Sequence, residues 1–284
     1  MKNEEIVRRL NDIPNKIFLL DEFKNELQLK KEDFVKQNDQ KGAKQTWIYQ
    51  TVVEIHSLYQ EAFSLLQSKQ YYEGWCKLER IEIAISGLKR HFHFDKTQFR
   101  LWQIEKNVKN LQVIFPYKIF ASSEILKKKK KCSICDKEIT IRKPCGHIVG
   151  EIYNGEMCHR VITEAEVLGL ALVKNPSNKY SVPFLTDEKT GKQIDQYNYN
   201  AVEYLFNCIK SPYDFWELEV SQKETKKEDF GKTGRNDDCP CHSGKKFKKC
   251  CMENIGKKYP HYEFILKNPS DETFLLNTTK KHKN

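Results

Sequence analysis

The sequence predicts a multi-domain α+β protein: a helical bundle over residues 1–118, a central α+β unit over 119–220, a flexible linker over 221–234, a small cysteine-rich module over 235–256 and a basic tail over 257–284. Three observations carry this division. Apolar residues recur at alternating spacings of four and three from residue 41 to 115, short apolar runs and turn residues take over after Pro116, and most of the ten cysteines fall into two clusters. The length leaves room for about two domains of ~100–200 residues.

In the bundle one stripe runs Ile48, Val52, Ile55, Tyr59, Ala62, Leu66. A second runs Tyr71, Trp75, Leu78, Ile81, Ile85, Leu88, Phe92, and a third Leu101, Ile104, Val108, Leu111, Phe115, closed by Pro116. Connections this short force antiparallel neighbours, so 41–115 reads as a three-helix up-down bundle. Weaker helical patterns, Glu4–Leu10 and Asn15–Lys30, precede it on either side of Pro14. The aromatics here, Trp47, Trp75 and Trp102 included, read as core, as do Cys76 and Cys208 elsewhere within helical patterns.

After Pro116 the lysine run Lys127–Lys131 reads as solvated linker. Asn154-Gly155 marks a β-hairpin between Ile148–Tyr153 and Met157–Ile162, because both turn residues tolerate positive φ. Val167–Val173 is a further apolar strand or short helix, and 198–210 a helix burying Val202, Leu205, Phe206 and Ile209. From Ser221 to Gly234 no aliphatic residue occurs, so the segment reads as a tether.

Cys239-Pro240-Cys241 and Cys250-Cys251 place four thiols within one short stretch, a spacing that permits tetrahedral thiolate coordination of one zinc ion. Pro240 fixes the backbone of the first pair, Ser243-Gly244 turns the chain, and one helical turn over Lys245–Lys249 delivers the second pair. So small a module has little core, and bound metal must supply most of its folding free energy. Phe247 is expected against the metal core, with Lys245, Lys246, Lys248 and Lys249 exposed.

The run Gly234-Arg235-Asn236-Asp237-Asp238-Cys239-Pro240-Cys241-His242-Ser243-Gly244-Lys245-Lys246-Phe247-Lys248-Lys249-Cys250-Cys251 closely resembles the SEC-C motif, which forms the tail of the SecA preprotein translocase ATPase and occurs in many otherwise unrelated bacterial proteins. The resemblance covers about 18 of the 284 residues. It implies zinc, or in some members iron, on Cys239, Cys241, Cys250 and Cys251. It also implies docking on the acidic export chaperone SecB or on the ribosome, with Arg235 and the four lysines as contacts. Two departures stand out: His242 occupies a position usually held by Gly, as a turn residue or a spare ligand, and the chain runs some thirty residues past the point where SecA stops. Gly231-Lys232-Thr233 lacks the spacing of a phosphate-binding loop, so the motif is carried here by something other than a translocase motor.

The central cluster, Cys132-x2-Cys135, Cys145-Gly146-His147 and Cys158-His159, offers six donors for four positions. If Asn154-Gly155 closes a regular hairpin, residue 151 faces Cys158 and His147 lies about 13 Å further along, too far to share an ion. The two compete unless the strand starts late or Gly150 introduces a bulge. The first choice is Cys132, Cys135, Cys145 and His147, with Cys158 as substitute and His159 facing away. The pattern Cys-x2-Cys, Cys-x-His, then Gly-x-x-Tyr-x-Gly (Gly150, Tyr153, Gly155) and Cys158 loosely resembles a small zinc module that accompanies SEC-C motifs and appears in some phage proteins.

Both clusters are sulfur-rich and closed, whereas a catalytic zinc keeps an open position. With no His-Glu-x-x-His, Gly-x-Ser-x-Gly or Gly-x-Gly-x-x-Gly in the sequence, a non-enzymatic protein is expected. The formal charge is +10, of which +6 lies in residues 221–284. Four thiolates around a zinc ion subtract two, leaving the tail near +4. That is modest for phosphate-driven binding, so an acidic protein partner is the first expectation and nucleic acid the alternative. No apolar run approaches the ~18 residues of a membrane helix, and the N-terminus lacks a signal-peptide core, so a cytoplasmic protein is expected.

Overall fold

The computed structural model describes residues 2–15, 20–241, 243–267 and 273–277. These form two compact units, one of Met1–Phe206 with Ser211–Tyr213, the other of Asn207–Lys210 with Asp214–Asn284.

The first unit begins with five helices: α1 (Asn3–Asp12), α2 (Leu20–Lys36), α3 (Gln40–Gln67), α4 (Tyr71–Leu88) and α5 (Leu101–Ile114). Asp39 caps α3 by accepting the Gly42 N–H at 2.9 Å. The stripe residues inside α3, α4 and α5 are buried, except Tyr71, which is half-buried. α1 and α2 join the same core through Ile6, Leu10, Phe23 and Leu27, so the bundle holds two more helices than the three expected. Trp75 is core and Trp47 half-buried, but Trp102 stands 37% exposed. Lys96 and Lys106 sit over its ring at 5.0 and 5.2 Å, so cation–π contacts rather than full burial hold it. Cys76 and Cys208 are half-buried.

The lysine run is not a linker. It lies inside β1 (Phe120–Cys132), which pairs antiparallel with β4 (Arg160–Val173) in a long two-stranded ribbon. Lys128 and Lys129 reach Glu166 and Glu164, each at 2.7 Å. Cross-strand carboxylates and the backbone ladder thus order a stretch whose composition alone reads as disordered. Between the ribbon's ends come two short hairpin strands, β2 (Ile152–Tyr153) and β3 (Glu156–Met157), turning through Asn154 and Gly155 at φ +51° and +70°. Beyond the ribbon lie the paired strands β5 (Leu185–Thr186) and β6 (Gln193–Ile194), then α6 (Asn200–Cys208), which buries Val202, Leu205 and Phe206.

The second unit holds a three-stranded antiparallel sheet in the order β7 (Phe215–Glu224), β8 (Lys258–Lys267), β9 (Thr273–Asn277). The expected tether therefore starts as strand: Ser221–Glu224 complete β7, and Lys227–Phe230 form a 3-10 turn. The expected basic tail supplies β8 and β9. Composition missed both because the order comes from pairing with β8 and from one aromatic, Phe230, whose ring lies 5.1 Å from that of Phe247.

Two candidate metal centres

The central centre sits at the tip of the β1–β4 ribbon. Cys132 ends β1, and a tight turn, Asp136 N–H to Cys132 O at 2.9 Å with Asp136 at φ +55°, folds Cys135 back towards it. Gly146 at φ +85° turns Cys145 and His147 inward. The donor atoms of Cys132, Cys135, Cys145 and His147 all lie within 4.8 Å of one another. This is the first-choice set.

Cys158 is closer than a regular hairpin allows. Its Sγ lies 3.9 Å from that of Cys132, which itself lies 3.7 Å from His147 Nδ1. Both named exceptions operate. β2 starts late, at Ile152, and Gly150 N–H donates to Cys158 O while Cys158 N–H donates to Glu151 O, so two residues oppose one in a bulge. Gly150 takes φ +89°, and Glu151 N–H bonds back to Ile148 O, so the chain doubles back instead of running on extended. The 13 Å separation is thereby removed, yet Cys158 stays outside the four-donor group. His159 is exposed and apart from the cluster.

Burial, the largest influence on Cys132, works to raise its thiol. The N–H groups of Ile134 and Cys135 and the thiols of Cys145 and Cys135 outweigh it and bring the group down to about 6. Burial pushes Cys158 the other way. The cluster therefore holds a thiolate ready for a cation, with less proton to displace.

Arg160 and Tyr153 belong to this centre; Arg160 escaped the sequence reading, whereas Tyr153 is the tyrosine of its Gly-x-x-Tyr-x-Gly pattern. The Arg160 guanidinium donates to His147 O at 2.9 Å and lies 3.5 Å from Cys158 Sγ. Tyr153 packs edge-on to the His147 ring at 4.6 Å and accepts the Ile148 N–H. Spacing alone does not mark Arg160.

At the second centre a small hairpin presents the first cysteine pair. Cys239 N–H donates to Lys245 O at 2.9 Å and Phe247 N–H to Asp237 O at 2.8 Å, with Gly244 at φ +71° in the turn. The expected helical turn forms as a 3-10 turn, Phe247–Lys249, and brings Cys250 and Cys251 across. The Sγ atoms of Cys239, Cys241, Cys250 and Cys251 lie within 4.8 Å of one another. Adjacent pairs stand at 3.3 Å (Cys239–Cys241), 3.5 Å (Cys241–Cys250) and 4.0 Å (Cys250–Cys251). Sulfurs bound at ~2.3 Å in a tetrahedron stand ~3.8 Å apart, so the donor set fits a single ion of that kind.

Ser243, which the sequence places in the turn, also hydrogen-bonds to Cys241 and, with the Cys239 thiol, brings it down to about 6. Burial and the three neighbouring thiols push Cys251 up. Phe247 is buried, Arg235, Lys245, Lys246 and Lys249 are exposed and Lys248 is half-buried. His242 lies outside the described residues.

The chain is thus a protein with two cysteine-rich clusters, each able to hold a metal ion. The second is a SEC-C motif, matched by the model of that family over residues 235–253. The C-terminal region is also similar to the protein translocase subunit SecA of Endomicrobium trichonymphae, 40% identical over 60 residues, or 18% of this chain and 7% of that protein. SecA of Desulforamulus reducens is 34% identical over 89 residues, 28% of this chain and 10% of its own. The chain therefore spans no more than a tenth of the length of these relatives. No solved structure matches. Among the described residues no helix is long and apolar enough to cross a membrane.

Proposed function

We propose that the chain is a non-enzymatic, two-zinc adaptor of the bacterial cytoplasm whose SEC-C module docks on an acidic protein surface, such as an export chaperone of the SecB kind or the ribosome. The observation that carries this is the closed four-sulfur set at 239–251 with exposed cations, Arg235, Lys245, Lys246 and Lys249, around it. Four sulfur donors complete the coordination of zinc, leaving no position for a substrate or an activated water, so the ion serves folding. The fixed cations are then the groups left to meet a partner. The central centre, with three sulfurs and His147, is read the same way. Soft thiolates favour zinc, with iron the alternative at the SEC-C site.

Nucleic acid is the second reading, resting on the same cations. Single-strand binding also draws on aromatic faces free for stacking, and Phe247, the aromatic inside the motif, is buried beside Phe230. A protein partner is therefore favoured.

Two measurements test the proposal. Elemental analysis of purified protein is expected to give close to two zinc equivalents per chain. Capture experiments with the full chain and with a Cys250→Ser/Cys251→Ser variant are expected to lose an acidic protein with the variant. Recovery of the same partners with both proteins defeats docking through the motif, and capture of RNA with steep loss on added salt gives the site to nucleic acid.

A further inference from the structure

The β1–β4 ribbon is a structural oddity in its length and exposure, apart from the metal centre at its tip. It runs 13 residues along β1, ~40 Å at ~3.3 Å per residue, and among the described residues its sheet contains no third strand. Two-stranded ribbons exposed on both faces are marginal in water.

The register shows that the two faces differ. Ser123 pairs with Leu170, Ala121 with Leu172 and Ile125 with Val167, so these six side chains share one face. The other face carries Ser122, Glu124, Gly169, Ala171 and Glu166, with Leu126 as its one large apolar side chain in that stretch. The ribbon is therefore amphipathic, and its apolar face is open: Ile125 is 46% exposed, Val167 68%, Leu170 72% and Leu172 68%. Val167–Val173 contains no charge and no proline, the composition that soluble proteins otherwise keep off exposed strands.

We infer that this face is the contact between two copies of the chain, packed ribbon on ribbon. The four aliphatic side chains offer on the order of 400 Å², the size at which an exposed apolar patch marks an interaction site. Two such faces packed ~10 Å apart supply on the order of 800 Å² of apolar contact, and Ala121, Ala165 and the Lys127 stem carry the total towards the ~1,000 Å² that a specific interface needs.

Charge points to the same occupant. The apolar stretch itself, Ala121–Ile125 against Val167–Leu172, carries a single charged side chain, Glu124, and that on the opposite face, so nothing there selects an oppositely charged partner. A row of aliphatic side chains on one face can meet its own copy about a two-fold axis.

The test is sedimentation of the full-length, zinc-loaded chain across the micromolar range, beside Leu170→Glu/Leu172→Glu and the milder Leu170→Thr/Leu172→Thr, which keeps strand propensity. A concentration-dependent dimer is expected for the parent. The glutamate variant is expected as a monomer with unchanged metal content and helical circular dichroism, and the threonine variant as a weakened dimer. A parent that stays monomeric throughout overturns the inference, as does a dimer that survives both double substitutions. A monomeric parent that floats with phosphatidylcholine vesicles, and loses this on Leu170→Glu/Leu172→Glu, gives the face to lipid and overturns it equally.

Discussion

Glu156→Ala tests how the central hairpin is fastened to the helices. Lys31 on α2 keeps only 9% of its side chain exposed, and its ammonium donates to Glu156 Oε1 at 2.6 Å. Gly155 presses on the Lys31 stem, where a Cβ would fall 2.5 Å from Cδ and 3.1 Å from Ala43 O, and Gln40 exchanges hydrogen bonds with Asn154 at 2.6 and 2.9 Å. At 2.6 Å two unit charges attract by about 1.6 kcal/mol in water and about 6 kcal/mol at an effective dielectric constant near 20. Glu156 is 64% exposed, which draws the value towards the first figure.

The consequence is an asymmetry. Glu156→Ala strands a buried ammonium and is expected to cost about 2 kcal/mol, whereas Lys31→Met removes that charge, leaves an exposed carboxylate in water and is expected to cost under about 0.5 kcal/mol. Urea denaturation followed by helical circular dichroism, run as a double-mutant cycle, measures a coupling of about 1.5 kcal/mol on this reasoning. A coupling below about 0.3 kcal/mol, or a Lys31→Met cost equal to that of Glu156→Ala, would refute it.

At the SEC-C module, Phe230→Ala removes the ring beside Phe247 and is expected to weaken metal retention there by about 1 kcal/mol, read by chelator competition. His56 is fully buried, held between the Tyr213 hydroxyl at 2.8 Å and Phe99 O at 2.9 Å, and burial, with a smaller contribution from Arg100, lowers it to about 4. The folded chain thus prefers the neutral imidazole. Stability is full above the unfolded value near 6.5 and declines by about 3 kcal/mol as pH falls to about 4, and His56→Gln should flatten that slope in pH-dependent denaturation. At the central centre His147→Ala is expected to weaken zinc binding at least tenfold, while Cys158→Ser keeps full stoichiometry; the opposite order makes Cys158 the fourth ligand. Chelation is expected to accelerate hydrogen exchange at Lys130–Cys132 and Arg160–Ile162 before it reaches Phe120–Ser123, and equal acceleration along the ribbon would contradict a metal acting at its tip.

What could be read from the sequence was whatever repeats locally. The helical stripes, the Asn154-Gly155 turn and the cysteine spacing all report on neighbours within a few residues; the turn forms where expected, the two clusters gather, and the stripes hold except that Phe92 and Phe115 lie past the ends of α4 and α5. What failed depends on segments distant in sequence. Lys127–Lys131 looks solvated until Glu164 and Glu166 arrive from β4, and Ser221–Glu224 looks structureless until His261 to Lys258 pair with it. Trp102 was assigned to core by residue type, although its position faces Lys96 and Lys106. The same limit left the distance to Cys158 conditional on a late strand start or a bulge at Gly150, a choice that the backbone bonds of Gly150 and Glu151 decide.

The two cysteine clusters share one architectural solution. Each lies in the loop that closes an antiparallel strand pair, 132–160 between β1 and β4 and 224–258 between β7 and β8. Neither loop owns much apolar core: the central one buries Ile139 with Cys132 and Cys158, the other chiefly Phe247. A strand pair supplies what such a loop lacks, because it brings the ends together and so meets much of the closure entropy before any donor is placed. The remaining order then falls to the sulfurs, at the one place where a single ion can tie together backbone segments that have few side chains to pack. Strand pair and metal centre are in this sense two halves of one device, and loss of either is expected to loosen the other.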